Sequence, residues 1–584
     1  MGRRGQSLRV RVPGTAEALV SRPRKRKPDP GQADQESGPK GRRPAWLSLG
    51  PLVAGVLALL VYLPSLAGGF VYDDGELILR NPSIRSLDNL GVVLRYEPSR
   101  PLLNVTWALN YAFGGLDPWH YHLVNVLIHA GNAALLASLF LWMAQRLKLA
   151  QAGPVALLGA CIFGASPMAA ETVAYIASRS SALSALFTLA SLRVSVSVLE
   201  GGPRWRLFAA MGFFFLALAT KEEAAALPLI LILLDYFFVS GQRAAAMKGR
   251  VWLHACFVAV VPLGLVARRL ATGAWLPPQV IDPGLYLLTQ AAAFPLYFFR
   301  AAIPLDPALY RGHLPATWPP AGTTVAFLFL AAVIAVIAAV RRRERPEWSF
   351  AVACLVAGLL PSSSVVSLNE MVVDHRAYLG SIGVAFTLGL LLWRLGGFRL
   401  GLLVLVVLSA RSVSSQWVLG DPVRAWEDAV ARAPNAPDAL CALGESYAER
   451  GDPRAEALFL QATRLDPSNY RYWANLGVLY GDLGRLPQAV DALRLALQRK
   501  PEASVHDYRG QLLLRLGRDD EAATEFEAAI SAEPTFATAY ANLAALLLKH
   551  GNEQEARRLI DAGAPFVSDA DEAEAFARLR ARFP

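Results

Sequence analysis

The sequence predicts an all-α protein in two parts: a polytopic transmembrane helical domain, followed by a solenoid of stacked helical hairpins. Three observations predict it. Hydrophobic residues make up 54% of the 584-residue chain and charged residues 18%, against roughly 25% charged in an average soluble domain. The deficit is uneven: from Trp46 to Arg411 apolar runs alternate with short charged clusters, whereas the chain after Asp421 has ordinary soluble composition. Within that tail, glycine and proline recur every 33 or 34 residues.

Residues 1–45 come first. They hold 12 Lys or Arg against Glu17, Asp29, Asp34 and Glu36, the local source of the +10 formal charge. Rich in Pro, Gly and polar residues, the segment reads as disordered. Beside a membrane span, such a basic run suits a cytoplasmic anchor on anionic lipid, and no nucleic-acid partner is expected. It is no cleavable leader, because the apolar run that begins at Trp46 stays uncharged for 26 residues, to Val71, too long for a signal h-region.

The membrane domain is assigned to residues 46–411. Candidate spans, each long enough or nearly so to cross about 30 Å of hydrocarbon, lie near 47–67, 121–143, 154–170, 182–199, 206–219, 224–240, 251–267, 323–340, 349–366, 380–395 and 398–411. The positive-inside rule orients them. Arg146 and Lys148, Arg204 and Arg206, Arg243, Lys248 and Arg250, Arg341 to Arg343 with Arg345, and Arg394 with Arg399 all face the cytoplasm if the N-terminus does. That holds only if a twelfth apolar segment, 285–303, interrupted by Pro295 and ending at Arg300, does not cross. About eleven spans then put the C-terminal domain on the outer side. The high Arg, Ala, Gly and Leu content points to a bacterial inner membrane rather than an endoplasmic reticulum. Cys161, Cys256, Cys354 and Cys441 form neither a disulfide framework nor a metal motif.

The repeat domain spans 421–565, with a helical tail over 566–584. Gly451, Gly484, Gly517 and Gly551 are spaced 33, 33 and 34 residues apart, and Pro434, Pro467, Pro501 and Pro534 keep the same period. Ala489, Ala522 and Ala556 each follow their glycine by five residues. Small residues let paired helices approach, Gly ends the first helix and Pro stops the second. Tyr470 through Leu476-Gly477, Tyr480, Gly484, Ala489 and Ala496 to Pro501 resembles one complete tetratricopeptide (TPR) unit. Stacked units leave a concave face suited to an extended protein segment, and Tyr472, Asn475, Tyr508 and Asn542 are its candidate contacts.

Four polar clusters fall on the outer side, where ionisable groups near lipid are costly to retain and so mark function. The first is Tyr72-Asp73-Asp74, whose adjacent carboxylates repel and can leave one as a base. The second runs from Arg100-Pro101-Leu102 to Asn110, then Leu116-Asp117-Pro118-Trp119 to His122, Asn125 and His129, the last three sharing one helical face. The third holds Ser166-Pro167, Glu171, Arg179 and Lys221-Glu222-Glu223. The fourth holds Asn369-Glu370 and Asp374-His375-Arg376 with Tyr378-Leu379. Cations converging on one face suit a phosphate; taken singly they suit snorkelling side chains.

Taken in order, these motifs resemble the transmembrane-and-TPR (TMTC-like) proteins: Phe70-Val71-Tyr72-Asp73-Asp74, Arg100-Pro101-Leu102 with Asn110-Tyr111, Leu116-Asp117-Pro118-Trp119 to His122-Leu123-Val124-Asn125, Thr220-Lys221-Glu222, and Asp374-His375-Arg376-Ala377-Tyr378-Leu379-Gly380-Ser381-Ile382-Gly383, with the trailing repeats. The resemblance implies a GT-C type glycosyltransferase fold and a protein O-mannosyltransferase-like activity. It implies a polyprenyl-phosphate sugar as donor, Asp73 or Asp74 as the catalytic base, and transfer with inversion to a Ser or Thr hydroxyl of an exported protein held by the repeats. Arg100, His122, Glu171, Arg179, Lys221, Glu222, Asp374, His375 and Arg376 would bind the donor sugar and phosphate. A divalent cation on Asp73, Asp74 and Glu171 is left open. The chain departs from the family where a His-Pro-x-His-x-Glu stretch is expected: Ser166 and Ala169 replace both histidines. The alternative reading is a non-catalytic membrane scaffold that recruits partners through its repeats.

Overall fold

In the computed structural model, residues 46–275, 282–304, 321–363, 372–567 and 570–583 are described. The basic segment 1–45 and Asn369-Glu370 lie outside them. Among the described residues the regular structure is helical throughout, with no strand.

The first helix, α1 (Trp46–Tyr62), ends in a 3₁₀ turn, Leu63–Ala67, with Pro64 in its first turn, that closes on Gly68. Residues the sequence leaves as loop then build a small folded lobe. It comprises a wide turn at Gly75–Leu79, a 3₁₀ turn at Pro82–Arg85, α2 (Leu90–Tyr96) and α3 (Pro101–Gly114). Ile78, Ile84, Val93, Leu103 and Trp107 form its core. Asn104, fully buried, ties it together by donating to the Val93 carbonyl (2.6 Å) and Ser83 (2.9 Å) and accepting from Asn81 (2.9 Å). A buried amide is stable only when so satisfied.

The bundle follows: α4 (Pro118–Arg146), α5 (Ala152–Gly164), the short α6 (Ala170–Ala174), α7 (Arg179–Leu199), α8 (Arg206–Leu218), α9 (Leu227–Leu234), α10 (Val251–Thr272), α11 (Pro283–Ala302), α12 (Ala321–Arg341), α13 (Pro346–Leu359) and α14 (Ser381–Leu419). Asp117 caps α4 by accepting from the Trp119 amide (3.0 Å), with Pro118 at the first position, where a missing N–H costs nothing.

Five helical stretches among the described residues are long and apolar enough to cross a membrane, and α5 with Pro167–Ala174, bent by 43°, makes a sixth. The sequence counts more, for local reasons. Arg206–Leu218, Leu328–Val340 and Pro346–Leu359 are apolar but shorter, and α9 runs into a wide turn at Asp235–Val239. The helix α14 holds two of the sequence's spans. It breaks at Gly397 (φ 58°, ψ −144°), a conformation that only glycine adopts cheaply. Its two arms cross α5 in opposite senses. Phe163 packs on Tyr378 (rings 5.0 Å apart) and Gly159 against Ala385 and Phe386, whereas Gly401 lies against Leu158 and Ser412 donates to the Ala165 carbonyl (2.8 Å).

These contacts define two ends of the bundle. At one, ion pairs join α4 to α7 (Arg146–Glu200), the Asp235 turn to Arg250 (2.7 Å), and α13 to α14 (Glu347–Arg394, 2.8 Å), and His254 is hydrogen-bonded to Asp235 (2.9 Å). At the other meet the last turns of α1, α5 and α14: Tyr62 donates to the Ser166 carbonyl (2.7 Å), and Gln416 donates to the Val61 carbonyl (2.9 Å) while accepting from the Ser65 amide (3.0 Å). Both halves of α11 touch this second end. Tyr286 donates to the Ser362 carbonyl (2.8 Å), and fourteen residues on Arg300 pairs with Asp374 (2.9 Å). Tyr286 and Arg300, on different halves of α11, thus both bind partners at this end.

The repeat domain starts at the same end. It runs from α15 (Pro422–Arg432) through the pairs α16 (Pro437–Ala448) with α17 (Arg454–Leu465), α18 (Tyr470–Asp482) with α19 (Leu486–Leu497), α20 (Ala503–Arg515) with α21 (Asp519–Ala532), and α22 (Ala537–Lys549) with α23 (Glu553–Gly563), to the tail helix α24 (Ala570–Arg580). The periodic Gly451, Gly484, Gly517 and Gly551 all take positive φ, between 67° and 79°, as helix-ending glycines do. Inside the pairs, a Cβ at Gly444, Gly477 or Gly510 would strike Phe459, Leu493 or Phe526 at 2.8 Å or less, so these positions fix how closely the paired helices pack.

Candidate active site

The loop after α1 carries the two adjacent carboxylates, and its backbone separates them. Tyr72 adopts φ 54°, a left-handed conformation that a bulky residue holds only when its surroundings over-determine it. Asp74 then turns inward. It is fully buried, and its Oδ2 accepts from the Val71 amide (2.9 Å) while its Oδ1 accepts from the Ala177 amide (2.8 Å). Burial pushes its carboxyl up to about 8, against the pull of those two amides and of Arg179, while the Asp73 charge adds to the rise. Both of its oxygens serve as a clasp between the loop and residue 177.

Asp73 turns outward and is exposed, its own amide held by the Tyr175 hydroxyl (3.2 Å). The protein crowding it raises its carboxyl above the usual range. Tyr175, Arg100 and Arg471 lower it in part, and Glu76 pushes it further up. Raised basicity with access to solvent is what a proton acceptor requires.

Beside it, Arg100 pairs with Glu222 (3.1 Å), both partly open to solvent. Lys221, on the same turn, donates to Ser181 (2.7 Å) and pairs with Glu223 (3.0 Å). Lys221 also acts on the charge of Glu171. Glu171 accepts from the amides of Asp374 (2.9 Å) and His375 (3.2 Å), and from His375 Nδ1 (2.7 Å). Asp374 in turn holds Arg300, and Arg376 donates to the Tyr286 hydroxyl (3.2 Å). Residues that the sequence distributes over four clusters thus become one polar region at the end of the bundle that bears the repeats. With Ser166 and Ala169 in place of histidines, His375 still puts an imidazole on Glu171.

Two of the sequence's candidates sit elsewhere. Arg179 is fully buried, and its guanidinium is engaged throughout: Nε donates to Asn125 Oδ1 (2.7 Å), Nη1 to Asn110 Oδ1 (2.6 Å) and Thr106 Oγ1 (3.2 Å), and Nη2 to the Tyr121 carbonyl (2.9 Å). It braces α3, α4 and α7 against each other, and each of its three nitrogens already holds a partner inside the protein. His122 is likewise fully buried, under the turn at Gly68, where an added Cβ would lie 3.0 Å from its Nε2. Among the repeat residues, Tyr472 is 2% exposed and gives its hydroxyl to Asp438 (2.6 Å), so its ring is core. Asn475, Tyr508 and Asn542 stay partly open. Asn475 donates to Glu445 and to Cys441 (3.2 Å), and Asn542 to Asp507 (2.8 Å). Arg300, Tyr175 and Tyr286 escape sequence reasoning. Arg300 gives a signal in retrospect, as a charge that ends an apolar segment which charge counting keeps from crossing.

A shared cation on Asp73, Asp74 and Glu171 does not fit. The oxygens of Asp74 and Glu171 are taken by backbone amides and His375, and no group of three acidic, His or Cys residues arranged for a metal occurs among the described residues.

Models of the tetratricopeptide repeat match residues 453–504, 509–536 and 525–558. The chain is 36% identical over 154 residues to the protein O-mannosyl-transferase tmtc2 of Xenopus laevis and 34% identical over 154 residues to TMTC2 of Homo sapiens, each match covering 24% of this chain and 18% of the relative. With TMTC1 of Homo sapiens it shares 25% identity over 400 residues, 57% of this chain and 44% of that one. Over these segments the chain is similar to the TMTC proteins. The matched part of the chain spans under half the length of these relatives. Crystal structures of MamA and of the TPR protein YrrB are 24% and 21% identical, cover 25% and 27% of this chain and 80% and 81% of theirs, and superpose with a TM-score of 0.23.

Proposed function

We propose that this protein is a membrane glycosyltransferase that moves a sugar, mannose by preference, from a polyprenyl-phosphate lipid to a Ser or Thr hydroxyl of an exported protein. The observation that carries the reading is the divided carboxylate pair: Asp74 is built in, and Asp73, its basicity raised, is exposed within the field of Arg100. The names of the relatives, protein O-mannosyl-transferases, support the same class.

In this mechanism the exposed Asp73 takes the proton of the acceptor hydroxyl as that oxygen attacks the anomeric carbon. The bond from that carbon to the phosphate oxygen breaks on the opposite face, so a single displacement inverts the configuration. Negative charge gathers on the lipid phosphate, and Arg100, Lys221, Arg300 and Arg376 lie where side chains held by fixed carboxylates and hydroxyls can stabilise it. Arg179 and Asp74 act one step back, by fixing the loop.

The contact between Gly420 and Gly69, at 3.0 Å from amide to carbonyl, supports placing the repeats and Asp73 on the same side of the membrane, whatever the total number of spans. With the basic N-terminus inside, that side is the outer face of a bacterial inner membrane. Asn475, Tyr508 and Asn542 then present the acceptor segment.

The test is incubation of the purified, membrane-reconstituted protein with radiolabelled polyprenyl-phosphate mannose and a membrane-free extract of exported proteins. Label on protein that Asp73→Asn abolishes supports the reading. No transfer from mannose or from other lipid-linked sugars would favour a membrane scaffold.

A further inference from the structure

Tyr72 stands between two aromatic side chains from different parts of the chain. The Tyr175 ring lies 5.9 Å away on the bundle side, and the Trp426 ring, on α15 of the repeat domain, meets it edge-on at 5.3 Å. Trp426 is itself 4% exposed and belongs to the repeat core, so it is a firm wall rather than a mobile lid. An edge-to-face pair at this distance stabilises beyond burial, on the scale of the strain in a left-handed bulky residue. The strained φ at Tyr72 is what sends Asp73 outward and Asp74 inward.

The neighbouring joints are rigid as well. The Gly69 amide donates to the Gly420 carbonyl (3.0 Å), and a Cβ at Gly420 would come within 3.2 Å of Gly68 Cα. The junction between bundle and repeats is therefore packed backbone on backbone, directly under the loop that carries Asp73. From the repeat side, Arg471 of α18 reaches into the electrostatic surroundings of Asp73.

We propose that the repeat domain is a fixed wall of the active centre, with Trp426 as a positioning residue that holds Tyr72 in its left-handed conformation and so aims the Asp73 carboxylate. The repeats do more than deliver the acceptor, because without the Trp426 contact the base itself turns away. This rests on reading Asp73 as the base.

The experiment uses the full-length reconstituted protein and two readouts. The first is hydrogen exchange of the peptide covering 69–79, which needs no activity. The second is transfer from radiolabelled polyprenyl-phosphate mannose into the exported-protein extract, measured across extract concentrations. Trp426→Ala is expected to speed exchange at the Asp73 amide, and to lower saturated turnover on the order of tenfold to a hundredfold, the penalty of about 1 Å of misplacement, with half-saturation unchanged. Trp426→Phe, which keeps an aromatic edge, restores both. Phe526→Ala, which loosens the distal repeats, leaves exchange at 69–79 unchanged and raises half-saturation. Unchanged exchange at 69–79 in Trp426→Ala overturns the proposal, as does a Trp426→Ala defect confined to half-saturation. If wild-type protein transfers no sugar, the proposed function fails while the exchange result still decides whether Trp426 holds the loop.

Discussion

Changing Asp73 and Asp74 one at a time should give opposite phenotypes, although the residues are neighbours with the same side chain. Asp74 accepts one amide on each oxygen in a fully buried position. In Asp74→Asn one of those oxygens becomes an NH₂ group facing an N–H donor, so at least one buried amide loses its acceptor. An unsatisfied buried donor costs about 1–3 kcal/mol, enough to raise local opening of the loop by roughly five- to a hundredfold. Asp73→Asn keeps the shape of an exposed side chain, and its stability cost should stay within about 0.5 kcal/mol. Removing a general base costs on the order of 10²–10⁴ in rate. The assay pairs hydrogen exchange over 69–79 and 175–179 with sugar transfer per folded molecule. Asp74→Asn should exchange faster at Val71 and Ala177, and Asp73→Asn should exchange like wild type while transferring almost nothing. Normal exchange with lost transfer in Asp74→Asn, or retained transfer in Asp73→Asn, would refute these two roles.

Four further outcomes are expected. Arg179→Lys cannot reproduce the fork that reaches Asn125, Asn110, Thr106 and Tyr121, and should destabilise the site end by roughly 2–5 kcal/mol; faster proteolysis with unaltered donor affinity of the surviving folded fraction checks this. The carboxyl of Asp73 is raised, so its base function is present above that raised value and lost as pH falls through it. The acid limb of the pH–rate profile should accordingly lie above the ordinary Asp value of about 3.9 and vanish in Asp73→Asn. His375→Ala removes the imidazole on Glu171 and should raise the donor concentration for half-saturation while Asp73 amide exchange stays unchanged, read by transfer kinetics and exchange together. Gly397→Val forces a branched residue into φ 58° at a cost on the order of 1–3 kcal/mol, which should lower the thermal stability of the detergent-purified protein.

Periodicity and hydropathy are local properties, and what they govern was legible in the chain. The glycines at 451, 484, 517 and 551 announced the repeats because a left-handed helix end needs glycine wherever it occurs. Apolar run lengths announced the helical bundle because lipid leaves the backbone no partner but itself. The functions of individual polar residues depended on what the fold placed against them. Asp73 and Asp74 are indistinguishable as text; one left-handed residue between Val71 and Asp73, and two amides from different segments, make one of them a clasp and leave the other free. Arg179 stood among the donor-binding candidates as a cation of the outer clusters and through the resemblance, and only the structure shows it buried with four partners on α3 and α4. Trp426 carried no signal at all, since its effect comes from a contact across more than three hundred residues of chain. Free energies of burial and pairing are set by neighbours in space, and for these residues the sequence names the groups while the tertiary structure chooses their partners.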